Sequence, residues 1–356
     1  MDESKKLLFS IPDFFGQFQL NMMLITMMKE HPEYFMDDVV IDSVYGSFPG
    51  CIWNSGRAYM GQADYENITG TVGNFNQQGV SVRFTFTNSL VTAEHVGDYY
   101  CNAILKACAK LVPDGPKNGV NVNANVLARH IKEKYPDYYL MWSTTKVMDS
   151  IGYVNELSKD RITVLNYNFN NKDEAIDALL YPKNIEVLVN EACIDDCPNR
   201  QEHYAAINNL QLIQPSTPFR CPHGAECYYY YETVPTRHHH ITPEMCREYY
   251  LPRGINKFKI AGRHDSSINL IENYVIYLCK PEWKDHVRNM LLHYVYHPQN
   301  AQIIDRFKHP QPTNSDGSPM PPEEVCAQCD GTQCPTCGRD KNPTKPEEES
   351  ENNGEV

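Results

Sequence analysis

The chain has 356 residues, 41% hydrophobic and 22% charged, the balance of a globular protein with room for a sizeable core. Its 45 acidic against 32 basic side chains leave a net charge of −13, which disfavours nucleic acid as a partner held by bulk charge. No apolar run approaches the roughly 20 residues of a membrane span, and Met1-Asp2-Glu3-Ser4-Lys5-Lys6 opens without a hydrophobic signal region, so a soluble cytoplasmic protein is expected.

In chain order, β-rich runs alternate with amphipathic ones. Strands are predicted at 7–11, 39–44, 80–87, 120–123, 139–143, 162–166, 185–190 and 257–261. Helical periodicity falls at 17–29, 93–111, 126–134, 150–157, 172–180, 202–209, 267–278 and 283–296. The Gly-rich stretch between the second and third strands carries no clear period. Eight strands interleaved with helices over roughly 250 residues are the arithmetic of a TIM-like (β/α)8 barrel, with an open doubly wound sheet as the rival.

Polar residues recur where the apolar strands stop: Thr87-Asn88, Asn121-Val122-Asn123, Ser143-Thr144, Asn166 and Asn190-Glu191. In a barrel these ends converge on one face, where active sites are built. The alternative is that each caps the helix after it. Asn88 and Asn123 are therefore candidate substrate-binding residues.

The seventh and eighth strands are separated by an insertion at about 191–254, far longer than the usual βα connection. It carries Cys193, Cys197, Cys221, Cys227 and Cys246, the run Tyr228-Tyr229-Tyr230-Tyr231, and His238-His239-His240. A long insertion on the catalytic face reads as a lid or a cofactor site. Three adjacent histidines cannot all face one ion without strain, so the triplet is expected to be an exposed loop.

Thirteen cysteines in a large chain without a signal region point to reduced thiols, several of them bound to metal. Cys51, Cys101, Cys108 and Cys279 sit among apolar neighbours and are expected to be buried fillers. Cys193, Cys197, Cys221 and Cys246 form a candidate set of four thiolates, suited to tetrahedral zinc or to a 4Fe–4S cluster. The wide spacing of the last two fits a cluster better than structural zinc, and Cys227 competes for either place. The barrel is expected to occupy 1–300. Beyond it, 301–356 reads as an acidic, Pro-rich tail, disordered apart from Cys326, Cys329, Cys334 and Cys337. These are two Cys-x-x-Cys knuckles, a second metal site for zinc or for iron.

Arg57, Lys146 and Arg263 follow predicted strands and would form a cationic pocket for a carboxylate or phosphate. His203, beside the cysteine loop, and Glu191, at the end of the seventh strand, are the candidates for moving protons. A P-loop, a Gly-x-Gly-x-x-Gly cradle, a His-Glu-x-x-His helix and a nucleophile elbow are all missing from the sequence, which disfavours kinase, dehydrogenase and zincin readings.

Cys193-x-x-x-Cys197 with Arg200 nearby, followed by Phe258-Lys259-Ile260-Ala261-Gly262-Arg263 and a helix containing Tyr274, resembles the collagenase-like peptidase family. That family also contains the ubiquinone-biosynthesis and RNA-base hydroxylation proteins. Ala261 stands where the family commonly has an acidic residue, and the arginine expected directly after the second cysteine is displaced to Arg200. These departures mark a divergent member. The resemblance implies a TIM barrel with a cysteine-ligated 4Fe–4S cluster, acting in oxygen-independent hydroxylation or a related redox modification. The substrate would be small and anionic, or of nucleobase or quinone type, and the tail would dock an electron-transfer or protein partner. A peptidase and a non-enzymatic, zinc-stabilised binding module are the alternatives.

Overall fold

The computed structural model describes residues 5–214, 219–223, 234–263 and 265–296. Its eight strands are β1 Leu7–Pro12, β2 Val39–Gly46, β3 Ser81–Phe86, β4 Gly119–Val122, β5 Tyr139–Trp142, β6 Thr163–Val164, β7 Ile185–Leu188 and β8 Lys257–Lys259. Each pairs in parallel with its sequence neighbours, and β8 returns to β1 through the register Phe9↔Phe258 and Ser10↔Lys259. The sheet is a closed barrel, as the strand count predicts, and the doubly wound alternative falls.

The helices are α1 Phe18–Glu30, α2 Tyr65–Gln77, α3 Tyr99–Cys108, α4 Asn125–Lys134, α5 Ile151–Ser158, α6 Asp173–Asp177, α7 Arg200–Gln211, α8 Ser267–Leu278 and α9 Lys284–Tyr296. The unassigned Gly-rich stretch contains α2. Two glycines and several polar residues dilute its period, yet Ile68, Val72 and Phe75 still form a buried stripe at helical spacing. The run expected at 93–111 begins late as α3, because a 3-10 turn at His95–Gly97 precedes it. The Asp98 carboxylate then caps α3 by accepting from the Cys101 amide.

Strand β3 shows why the barrel forms as it does. Its alternation turns Val82, Phe84 and Phe86 outward into the main apolar core, while Arg83 and Thr85 face the barrel axis. The core lies between sheet and helices. Inside the barrel a separate small apolar cluster, Met141, Val164 and Leu188, packs together near β5 to β7. Cys51, Cys101, Cys108 and Cys279 are buried and free, as expected.

The insertion has structure of its own. Beyond the described residues 219–223, a 3-10 turn at Val234–Thr236, then Pro243–Met245 and a π-helical segment Cys246–Tyr250 lead back to β8. The histidine triplet departs from expectation: His238 is exposed, but His239 is 1% exposed and bonded on both ring nitrogens. No helix among the described residues is long and apolar enough to cross a membrane. Cys227, Cys326, Cys329, Cys334, Cys337 and the whole expected tail lie outside the described residues.

Candidate functional site

The inside of this barrel is unusually polar for the fold. The buried Arg83 guanidinium pairs with both Asp42 and Glu186 and donates through Nε to the Tyr139 hydroxyl at 2.7 Å. Glu186 also faces Lys259 Nζ at 3.7 Å. Burial pushes the Glu186 carboxyl up, but Arg83 and Lys259 outweigh it and hold the group below its usual range. A buried ionic network of this kind contributes little net stability.

Above it, at the carboxyl ends of the strands, lies a cavity of about 80 Å³. Thr85 and Thr87 from β3 and its exit, Asn121 from β4, and Thr144 and Thr145 after β5 line it. Lys259, Gly262, Arg263 and Arg57 line it as well. Arg263 is clamped: Nη1 donates to Asn54 at 3.0 Å and to Thr85 at 2.8 Å, and Nη2 donates to the Ser55 carbonyl at 2.8 Å. Glycine is required beside it. A Cβ on Gly56 would meet Arg263 Nη2 at 2.6 Å, and Gly262 sits at φ +141 with Leu270 only 2.4 Å from where its Cβ would stand. No carboxylate among the described residues pairs with Arg263, whose pKa burial lowers.

A groove of about 570 Å³ opens beside the cavity. The two share Arg57, Glu191, Tyr204, Ala261 and Gly262 as walls, so they form one continuous site. Cys193, Cys197 and Cys221 line the groove together with Arg200 and His203. Burial and the Cys193 thiol beside it push the Cys197 thiol up, against a backbone hydrogen bond from Asn199, and Cys221 adds to the rise. Arg200 is the organiser. It donates to Tyr204 at 3.1 Å and Thr144 at 3.2 Å and lies 4.0 Å over the Tyr167 ring.

Glu191 is bonded by the Cys193 amide at 3.2 Å. Burial would raise its carboxyl, yet Arg200 and Arg57 hold it below the usual value. His203 stacks on Phe219 with centroids 5.0 Å apart, and burial and Arg57 lower its pKa. At neutral pH the pair is thus a carboxylate and a neutral imidazole, both able to accept a proton.

Several predicted residues stand elsewhere. Cys246 is fully buried in the apolar core, where burial pushes its thiol up, and its charged neighbours are Arg247, Glu244 and Asp38. Asp38 directly precedes β2, at the amino end of the barrel, so the π-helical segment carries Cys246 away from the cysteine groove. Asn88 is buried and donates to the Ile52 and Asn208 carbonyls, fastening α7 rather than facing the cavity. Asn123 donates to Thr145, and Lys146 donates to the Asn123 carbonyl at 2.9 Å over the Trp142 ring. Residues the sequence reading gave no place at the site include Tyr204, Asp265 and Thr85, and His239 was noted only within a triplet expected to be an exposed loop. Thr85 was legible as the inward position of an alternating strand; Tyr204 carried no such signal.

The chemistry of the thiol set suits an iron–sulfur cluster in donor type. Its geometry is incomplete: among the described residues no group of three or more Cys, His, Asp or Glu is arranged to hold a metal ion.

No protein-family model matches this chain, and no curated protein matches it. A solved structure, that of the U32 peptidase Mk0906, is similar to it with a TM-score of 0.46 and 14% sequence identity, covering 73% of this chain and 94% of that one.

Proposed function

We propose that this protein is an iron–sulfur enzyme that modifies a small anionic substrate by redox chemistry, with oxygen-independent hydroxylation as the reaction class. The observation that carries this reading is the continuity of two unlike sites. A cation-lined cavity that suits an anion and a groove with three thiols share the walls Arg57, Glu191, Tyr204, Ala261 and Gly262.

Cys193, Cys197 and Cys221 would hold the cluster, which would take electrons from the substrate one at a time and pass them on. Cys227 is the candidate for a fourth place, and Cys246 is withdrawn from it. Arg57 and Arg263 would bind the substrate anion; the clamp on Arg263 fixes its fork before substrate arrives. Glu191 and His203 would accept the proton released as the substrate is oxidised. A nucleobase or quinone-type ring exceeds the cavity and would occupy the groove.

The peptidase reading is weaker on the same geometry. His239 is held by Asp195, but its other nitrogen faces the Glu191 carbonyl at 3.0 Å, so the pair presents no base to a nucleophile. The zinc-module reading is separated by metal analysis. Anaerobic protein should contain iron and acid-labile sulfide, both lost in Cys193→Ser/Cys197→Ser and both retained in Cys246→Ala. Zinc alone, unchanged in the double variant, would overturn the proposal.

A further inference from the structure

Four observations about the cavity are unused by the reading above. Lys259 Nζ reaches into it from the last residue of β8, 3.5 Å over the Tyr45 ring. Its only acidic neighbour among the described residues, Glu186 Oε1, stays 3.7 Å away and makes no hydrogen bond. Thr87 Oγ1 and Asn121 Oδ1 line the same cavity, each in a residue 2% exposed, and neither has a hydrogen-bond partner. Buried polar atoms are normally satisfied, and an orphan is costly in a folded protein unless a ligand completes it. Arg57 and Arg263, already assigned to a substrate anion, line the same cavity, and Arg263 has no carboxylate partner among the described residues.

We infer that the cavity takes a small 2-oxo acid, its carboxylate facing Arg57 and Arg263, and that the Lys259 amine captures its carbonyl carbon as an imine. The hydroxyl of Thr87 would donate to the carbonyl or carbinolamine oxygen, and the Asn121 carbonyl would accept from the carbinolamine hydroxyl. The step balances within these groups. The Lys259 nitrogen lone pair forms the C–N bond as the C=O π bond breaks, and the oxygen takes up one proton from the amine to give the carbinolamine. Its C–O bond then breaks with the second amine proton transferred to the leaving hydroxyl, giving a neutral imine and one water. The amine is suited to the task. Burial, with Arg83 and Arg263 nearby, pushes Lys259 down to about 7 despite the opposing charge of Glu186, so much of it is unprotonated at neutral pH.

The inference rests on the small-anion reading of the cavity and not on the cluster. Its test is reductive trapping on the full chain: pyruvate or glyoxylate with borohydride, followed by intact mass and peptide mapping. The expected result is one reduced adduct per chain, on the peptide carrying Lys259, at least ~10-fold above any other lysine. Lys257→Arg should retain it and Lys259→Arg should lose it; mapping of the unmodified sequence decides the matter should Lys259→Arg not fold. The Cys193→Ser/Cys197→Ser protein should give the same adduct. No adduct, or adducts spread over exposed lysines at similar yield, would overturn the inference. Binding of pyruvate seen by thermal shift without any adduct would do so while leaving the anion-binding reading intact.

Discussion

His239 Nδ1 stands 2.6 Å from Asp195 Oδ1, and the opposite ring nitrogen lies 3.0 Å from the Glu191 carbonyl. One buried ring therefore fastens both ends of the turn that carries Cys193, and Tyr167 packs against it at 4.5 Å. Replacing it with leucine leaves the filler and removes both ties. His239→Leu should cost about 1–3 kcal/mol and should raise the alkylation rate of Cys193 more than that of Cys221. Equal rates in both proteins would show that the turn is held by other contacts.

The same pair predicts an acid response. Burial would raise the Asp195 carboxyl, but the His239 hydrogen bond and charge hold it below its usual 3.8. A depressed carboxylate contributes stability that is present above its unfolded pKa and is lost as pH falls through the folded value. The turn should thus loosen below about pH 4, and Asp195→Asn should show no such step in thiol reactivity.

Lys259 responds to pH in the same direction, by losing a burial penalty as pH rises. Its pKa is near 7 in the folded chain against 10.5 when free, so between those values the unfolded state binds the extra proton. Stability from this group should rise with pH across that window, by an amount on the order of a few kcal/mol. Lys259→Met should flatten the rise in denaturant midpoint between pH 7 and pH 9; an unchanged slope would place the rise on other groups.

Arg83 should be the most costly charge to remove. Arg83→Met strands Glu186 in the barrel interior, where it keeps only the distant Lys259, and should cost about 3–5 kcal/mol. Arg83→Met/Glu186→Leu should recover a large part of that loss, read as a positive coupling in a double-mutant cycle.

Arg263→Lys tests the clamp without removing the charge. The ammonium cannot span Asn54, Thr85 and the Ser55 carbonyl together, so binding of small anions should fall by about tenfold or more while the melting temperature changes little. Cys246→Ala, by contrast, should cost about 1–2 kcal/mol of core packing and leave anion binding as it was.

The legible parts of the chain were those governed by local pattern. All eight strands announce themselves because each turns an apolar face to the helices, and β3 even shows which residues turn inward. Helix α2 was hidden because its stripe of Ile68, Val72 and Phe75 is broken up by Gly70 and Gly73. Among the residues that line the cavity and groove, Arg263 was readable from its place just after the last strand, and Cys193 and Cys197 from their close spacing in the insertion. Asn88 and Asn123 show the same strand-end signal, yet they fasten α7 and Thr145, since a polar residue at a strand end serves a neighbour as readily as a ligand.

By itself the sequence determined the strand count and the helical alternation, because alternation and amphipathic period are properties of neighbouring residues. Closure of the sheet into a barrel, against the doubly wound rival, was decided by the pairing of β8 with β1. Only the tertiary structure decided which cysteines meet. A π-helical segment carries Cys246 into the core beside the amino end of the barrel, while the turn strapped by His239 brings Cys193 and Cys197 to the rim. That sorting depends on the path of a long insertion, and spacing along the chain does not encode where such a path ends.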